Sequence, residues 1–146
     1  MEHFDSDLAH RVWQRVQASP ESVVSLAILD LSLREEAEQL RLYRQLLSSI
    51  GTQQVKTLRE IVTITIQCIT ILKGIRYLFT DTQSTEFPSP QPKEHPTSVL
   101  RRCYGSTLQR MSRYRQLSAD AQYAPGFSAL ADLSQTRCQL LLQLLG

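Results

Sequence analysis

Apolar residues return at intervals of three and four along most of the chain, the spacing of helices that bury one face. Residues 5–17 read as a short leading helix with Leu8, Val12, Trp13 and Val16 on one side. Ser19-Pro20 reads as an N-cap followed by proline in the first helical position. It opens a long helix over 20–49, with a stripe of Leu26, Leu29, Leu33, Ala37, Leu40, Tyr43 and Leu47. Glu35, Glu36, Glu38, Arg41 and Arg44 fall beside or opposite that stripe, as on a solvated face. Gly51-Thr52 breaks the pattern, and a second helix follows over 52–79 with Val55, Leu58, Val62, Thr65, Ile69, Leu72 and Arg76 inward.

The middle of that second helix, IVTITIQCITIL, has the β-branched composition of a strand. The periodic segment is much longer than a strand and its flanks favour helix, so helix is the expectation. Residues 80–95 hold Pro88, Pro90 and Pro92 among polar neighbours and read as an extended crossover. Pro96-Thr97 opens a third helix over 96–117, with Leu100, Cys103 or Tyr104, Thr107, Met111 and Tyr114 inward. Pro125 opens a fourth over 125–145, with Phe127, Leu130 or Ala131, Ser134, Cys138, Leu141 and Leu145 inward. The expected fold is all-α: a single domain over 1–146, four bundle helices and a leading helix, with one long connection between the second and third. That is the connectivity of ferritin-like bundles.

Composition changes this picture little. A net charge of +2 over 146 residues gives no reason to expect a polyanionic partner. The three cysteines, Cys68, Cys103 and Cys138, are odd in number, and no basic-then-apolar leader opens the chain; both point to a reducing cytoplasm. The longest apolar run, Ile61 to Leu72, is interrupted by Thr63, Thr65, Gln67 and Thr70. It is shorter than the ~18–20 residues that cross a bilayer, so no membrane partner is expected.

HRVWQRV (His10–Val16), LRLYRQL (Leu40–Leu46), LKGIRYLFT (Leu72–Thr80), LRRCYG (Leu100–Gly105), SADAQYAPGFSALA and CQLLLQLLG together resemble small bacterial rubrerythrin-like, ferritin-like proteins. The resemblance implies a di-iron site built from one Glu on each of two helices and a Glu-x-x-His pair on each of the other two. On this chain those positions fall at Ser32, at Thr65 and Cys68, at Thr107, and at Ser134 and Arg137. None carries the family's ligand. The only histidines are His3, His10 and His95, and neither Glu60 nor Asp132 has a histidine three residues on. The expectation is therefore no cofactor, no metal and no catalysis.

Ser32, Thr65, Thr107 and Ser134 would lie in the core, where a hydroxyl can bond back to the carbonyl one turn earlier. With Glu36 and Arg137 they could instead enclose a small polar pocket. Arg137 has two readings: buried and paired with Glu36, or at the rim with its stem snorkelling to water. Trp13 and the leucines Leu141, Leu142, Leu144 and Leu145 are the candidate interface, with core closure as the alternative for the leucines. The resulting expectation is a structural or protein-interaction module that forms a homodimer by resemblance. Two alternatives stand beside it. One is a metal-binding or oxidoreductase protein with a non-standard site. The other, expected less, is a nucleic-acid binder using Arg101, Arg102, Arg110, Arg113 and Arg115 of the third helix, with Tyr104 and Tyr114 interleaved.

Overall fold

The structure, a computed structural model, describes residues 24–80 and 94–146. The leading helix over 5–17 with Trp13, the Ser19-Pro20 cap, His3, His10 and the prolines of the crossover lie outside the described residues. Among the described residues there are four α-helices and no strand: α1 (Leu26–Leu46), α2 (Thr52–Thr80), α3 (Pro96–Leu117) and α4 (Ala124–Leu145).

Local chemistry sets the helix ends. α1 does not run through from residue 20. Ser25 is extended (φ −121°, ψ 155°) and its hydroxyl accepts from the Ile28 amide at 3.2 Å, so it is the N-cap. At the other end α1 stops at Leu46, and a turn leads to Gly51. α2 starts from the Gly51 carbonyl, which accepts from Gln54 and Val55. His95 caps α3, its Nδ1 accepting from the Thr97 amide at 3.2 Å, ahead of Pro96 at the first position. Pro125 sits in the first turn of α4.

The threonines that made the middle of α2 look like a strand are accommodated within the helix. Thr63, Thr65 and Thr70 each donate to the carbonyl four residues earlier, at 2.8–3.1 Å. The hydroxyl is satisfied without leaving the helix. α2 has 29 residues, more than the apolar run alone suggested, and it is long and apolar enough to cross a membrane by length and composition. In the bundle a third of its most apolar window is buried, and Thr65 at its centre faces a charged side chain, Arg137.

Four contact sets fix the arrangement. α1 packs on α2, α3 on α4, α2 on α4, and α1 more lightly on α3. Ser32 meets Arg113 while Gln39 meets Cys103, so α1 and α3 run antiparallel. Gly126 meets Ile75 near the start of α4 and the end of α2, so these two are antiparallel as well. A Cβ on Gly126 would stand 2.9 Å from Ile75 Cδ1, so the missing side chain lets the two helices close there. Arg76 near the end of α2 meets Asp30 near the start of α1, so these are antiparallel too, and α2 and α3 are parallel and diagonal, with α2 ending at one end of the bundle and α3 starting at the other.

Two apolar clusters fill the interior. One, around Leu29, Leu33, Leu72, Ile75, Tyr114 and Phe127, sits at the end where α1 begins. The other, around Leu42, Tyr43, Leu46, Leu58, Val99 and Leu141, sits where α1 ends.

The inward faces of α1 and α3 differ from the periodic reading. On α1 the buried side chains are Leu29, Ser32, Leu33, Glu36, Gln39, Leu42, Tyr43 and Leu46; Leu26 is exposed, and Ala37, Leu40 and Leu47 are only half-buried. On α3 the buried side chains are Val99, Leu100, Cys103, Thr107, Arg110, Tyr114 and Leu117, so Arg110 takes the inward place expected of Met111, which is half-buried. Glu36 is thus not on a solvated face. The stripe is rotated toward α3 and α4 because those helices supply its partners. Leu141 and Leu144 close the core, while Leu142 is half exposed and Leu145 half-buried, so the leucine-rich end divides between core and surface.

Candidate functional site

Between the two apolar clusters lies a layer of buried polar groups: Ser32, Glu36, Gln39, Thr65, Thr107, Arg110, Ser134 and Arg137. Each sits on the inward face of its helix, and the four helices bring them to one level of the bundle. Glu36, Arg110 and Arg137 are fully buried.

Glu36 is the centre. Arg137 reaches it across the diagonal from α4, with Nη1 donating to Oε1 at 2.5 Å and Nη2 to Oε2 at 3.0 Å. This is the bidentate pairing that a planar guanidinium makes with a carboxylate. Arg110 Nε donates to Oε2 at 3.1 Å and the Tyr114 hydroxyl donates to Oε2 at 2.8 Å. One carboxylate therefore accepts four hydrogen bonds. Of the two readings of Arg137, the buried one paired with Glu36 is the geometry observed.

The hydroxyls and the amide fill the remaining valences. Arg137 Nη1 also donates to Thr65 Oγ1 at 3.1 Å, and Nη2 lies 3.4 Å from Ser134 Oγ. Arg110 donates to Ser106 Oγ at 2.6 Å and to Gln39 Oε1. Gln39 Nε2 donates to the Cys103 carbonyl at 3.2 Å, and its Oε1 lies 3.4 Å from Thr107 Oγ1. Thr107 donates back to the same carbonyl at 2.7 Å. Nearer the surface, Arg113 bridges Ser32 Oγ at 3.1 Å and Glu35 at 2.7 Å. Arg137 Nε is buried without a hydrogen-bond partner among the described residues, a cost that the layer carries.

The charges set the electrostatics. Burial alone would push the Glu36 carboxyl up; Arg137 and Arg110 beside it, with the hydrogen bonds from Arg137 and Tyr114, outweigh burial and hold it at about 2. A carboxyl lowered in the folded state adds stability above its unfolded value and loses it as pH falls through the folded value. The Glu36 contribution is expected to be whole above pH 4.5 and to disappear between there and about pH 2. Carbon-13 NMR of the Glu36 carboxyl across an acid titration checks this. Titration near 4 in the intact fold would contradict the pairing.

The sites implied by the family resemblance all fall in or beside this layer. Ser32, Thr65, Thr107, Ser134 and Arg137 belong to it, and Cys68 is buried against the adjoining apolar cluster. Where the family's pattern would put carboxylates and imidazoles, a guanidinium-filled layer lies. Among the described residues no three His, Cys, Asp or Glu side chains cluster as metal ligands. The cysteines are free and buried, and burial is the leading cause that pushes the thiols of Cys68 and Cys103 up, to about 12 and about 11. Burial therefore favours the thiol form of both.

The polar residues expected to form a pocket pack against one another instead. Among the described residues two open grooves lie along α2 and α4, of about 800 Å³ beside Val55, Arg59, Thr63 and Leu140 and about 580 Å³ beside Ile66, Thr70, Asp132 and Leu133.

Periodicity places neither Gln39 nor Arg110 in the layer. On the basic face expected of α3, Arg110 is buried and Arg113 is held by Glu35, while Arg102 is paired with Glu94 at 2.7 Å. The five arginines do not present one phosphate-binding face. A signal for Arg110 was available: Thr107-x-x-Arg110 on α3 repeats Ser134-x-x-Arg137 on α4. Each places an inward hydroxyl one turn before an inward guanidinium. No protein-family model matches the chain, and no curated protein or solved structure is significantly similar to it.

Proposed function

We propose that this chain is a ferritin-like bundle that has exchanged its di-iron centre for an internal ion-pair layer and acts without catalysis, as a structural or protein-interaction module. The observation that carries the reading is the saturation of Glu36. Its carboxylate, the one buried acid among the described residues, already accepts from Arg137, Arg110 and Tyr114. A divalent metal would have to displace two cations to reach it. Support for the ferritin-like connectivity comes from the parallel, diagonal relation of α2 and α3, which a single end-to-end connection requires. Leu142 and Leu145 remain the candidate contact residues at the leucine-rich end; homodimerisation remains an expectation from the resemblance, and a cytoplasmic location one from the three cysteines.

The test is elemental analysis of protein purified without chelator or metal-affinity resin, with thermal unfolding in added iron(II), manganese(II) or zinc(II). The expected outcome is metal far below one atom per chain and no rise in Tm, since a ligand stabilises only what it binds in the native state. One bound metal per chain would overturn the reading.

A further inference from the structure

We infer that the Glu36 layer is a register device: it selects one axial alignment of the four helices and adds little net stability. The inference does not depend on the proposed function. It starts from the two apolar clusters on either side of the layer, which are built of interchangeable groups. Leu, Ile, Val and Phe side chains dominate both. Sliding one helix by a turn, about 5.4 Å, would replace apolar contact by apolar contact at either end. Such cores keep their stability over many packings and lose uniqueness first.

The layer does not tolerate that slip. Donors from α3 (Arg110 and Tyr114) and from α4 (Arg137) converge on a single acceptor on α1, and Thr65 of α2 contacts Arg137. All four helices therefore refer to one carboxylate. A slip of α1 by one turn would bring Ser32 or Leu33, or else Leu40, to the level that Glu36 holds. The carboxylate would move to the level of Leu72 and Leu130 in one cluster or of Ile61 and Leu141 in the other, and two guanidinium groups would be buried without it. Both the misplaced acid and the stranded cations are costly in an apolar interior. The Glu36–Arg137 pair joins α1 and α4, which are not among the helix pairs that pack extensively, so it ties their offset directly.

The experiment compares three chains, each spin-labelled at exposed positions of α1 and α4 through Arg44→Cys and Gln139→Cys. The first has the native layer. The second carries Glu36→Met, Arg110→Met, Arg137→Met and Tyr114→Phe, which removes every charge and the orphaned hydroxyl. The third keeps Glu36 and Arg137 and carries Arg110→Met and Tyr114→Phe. Pulsed electron resonance is expected to give one narrow distance in the first and third. The second, equally helical, is expected to give a broadened or split distribution, with fewer dispersed amide signals by NMR. A narrow, unchanged distance in the second chain would overturn the inference. So would loss of its helical structure, because the layer would then be supplying stability. Broadening in the third chain would overturn it too, by showing that the carboxylate and its diagonal partner do not suffice.

Discussion

Glu36→Gln is expected to destabilise the protein by roughly 3–5 kcal/mol, the cost typical of breaking a buried ion pair from one side. The substitution changes one oxygen to an amide group and keeps the volume, so little of the loss comes from packing. What changes is the charge. Arg110 and Arg137 remain fully buried, and an arginine does not discharge by losing a proton. The new amide also points N–H groups at guanidinium N–H groups, where four donated bonds previously converged. Against a typical total of about 5–15 kcal/mol, the loss is enough to leave a large unfolded fraction in a marginal domain.

Urea unfolding followed by far-ultraviolet circular dichroism measures the effect. A companion chain with Glu36→Gln and Arg137→Met should recover part of the loss, because it removes one stranded charge. A shift of less than about 1 kcal/mol in the single variant would mean that water reaches the layer, since solvated pairs have that magnitude.

Much of the helical frame was legible because its ends are marked by residues with special backbone needs. Gly51, Pro96 and Pro125 each sit at an end that the structure keeps to within a residue. The observed cap of α1 is Ser25 and not the expected Ser19-Pro20, because periodicity alone does not choose between two serines. The hydroxyl positions Ser32, Thr65, Thr107 and Ser134 were placed inward, and they are inward.

Glu36, Gln39 and Arg110 were harder to place. Periodicity assigns a charged side chain to solvent, and that rule holds unless a partner meets it inside. The partners of Glu36 lie 74, 78 and 101 residues away along the chain, so no local window contains the reason for its burial. The strand-like composition of α2 misleads for a related reason. Propensity weighs the threonine side chain against water, whereas here its hydroxyl bonds to its own helix.

Removing the whole layer should do far less harm than removing Glu36 alone. The chain with Glu36→Met, Arg110→Met, Arg137→Met and Tyr114→Phe is expected to unfold at a urea concentration equal to or above that of the natural protein, a gain of up to about 1–4 kcal/mol. Methionine approximates the length of both side chains it replaces and adapts to irregular gaps. Tyr114→Phe belongs in the set because the tyrosine hydroxyl donates to Glu36 and would otherwise be left as a buried orphan. Thr65 and Thr107 need no change, since each keeps its bond to the carbonyl one turn back. Gln39 keeps the Cys103 carbonyl as acceptor and the Tyr43 hydroxyl as donor. The natural layer desolvates three charges and leaves Arg137 Nε without a partner, so its net contribution starts from a deficit that the apolar set does not carry. If the fourfold variant is instead less stable than Glu36→Gln, the ion pairs more than offset their desolvation. The carboxylate and its arginines would then be the main support of the fold at that level.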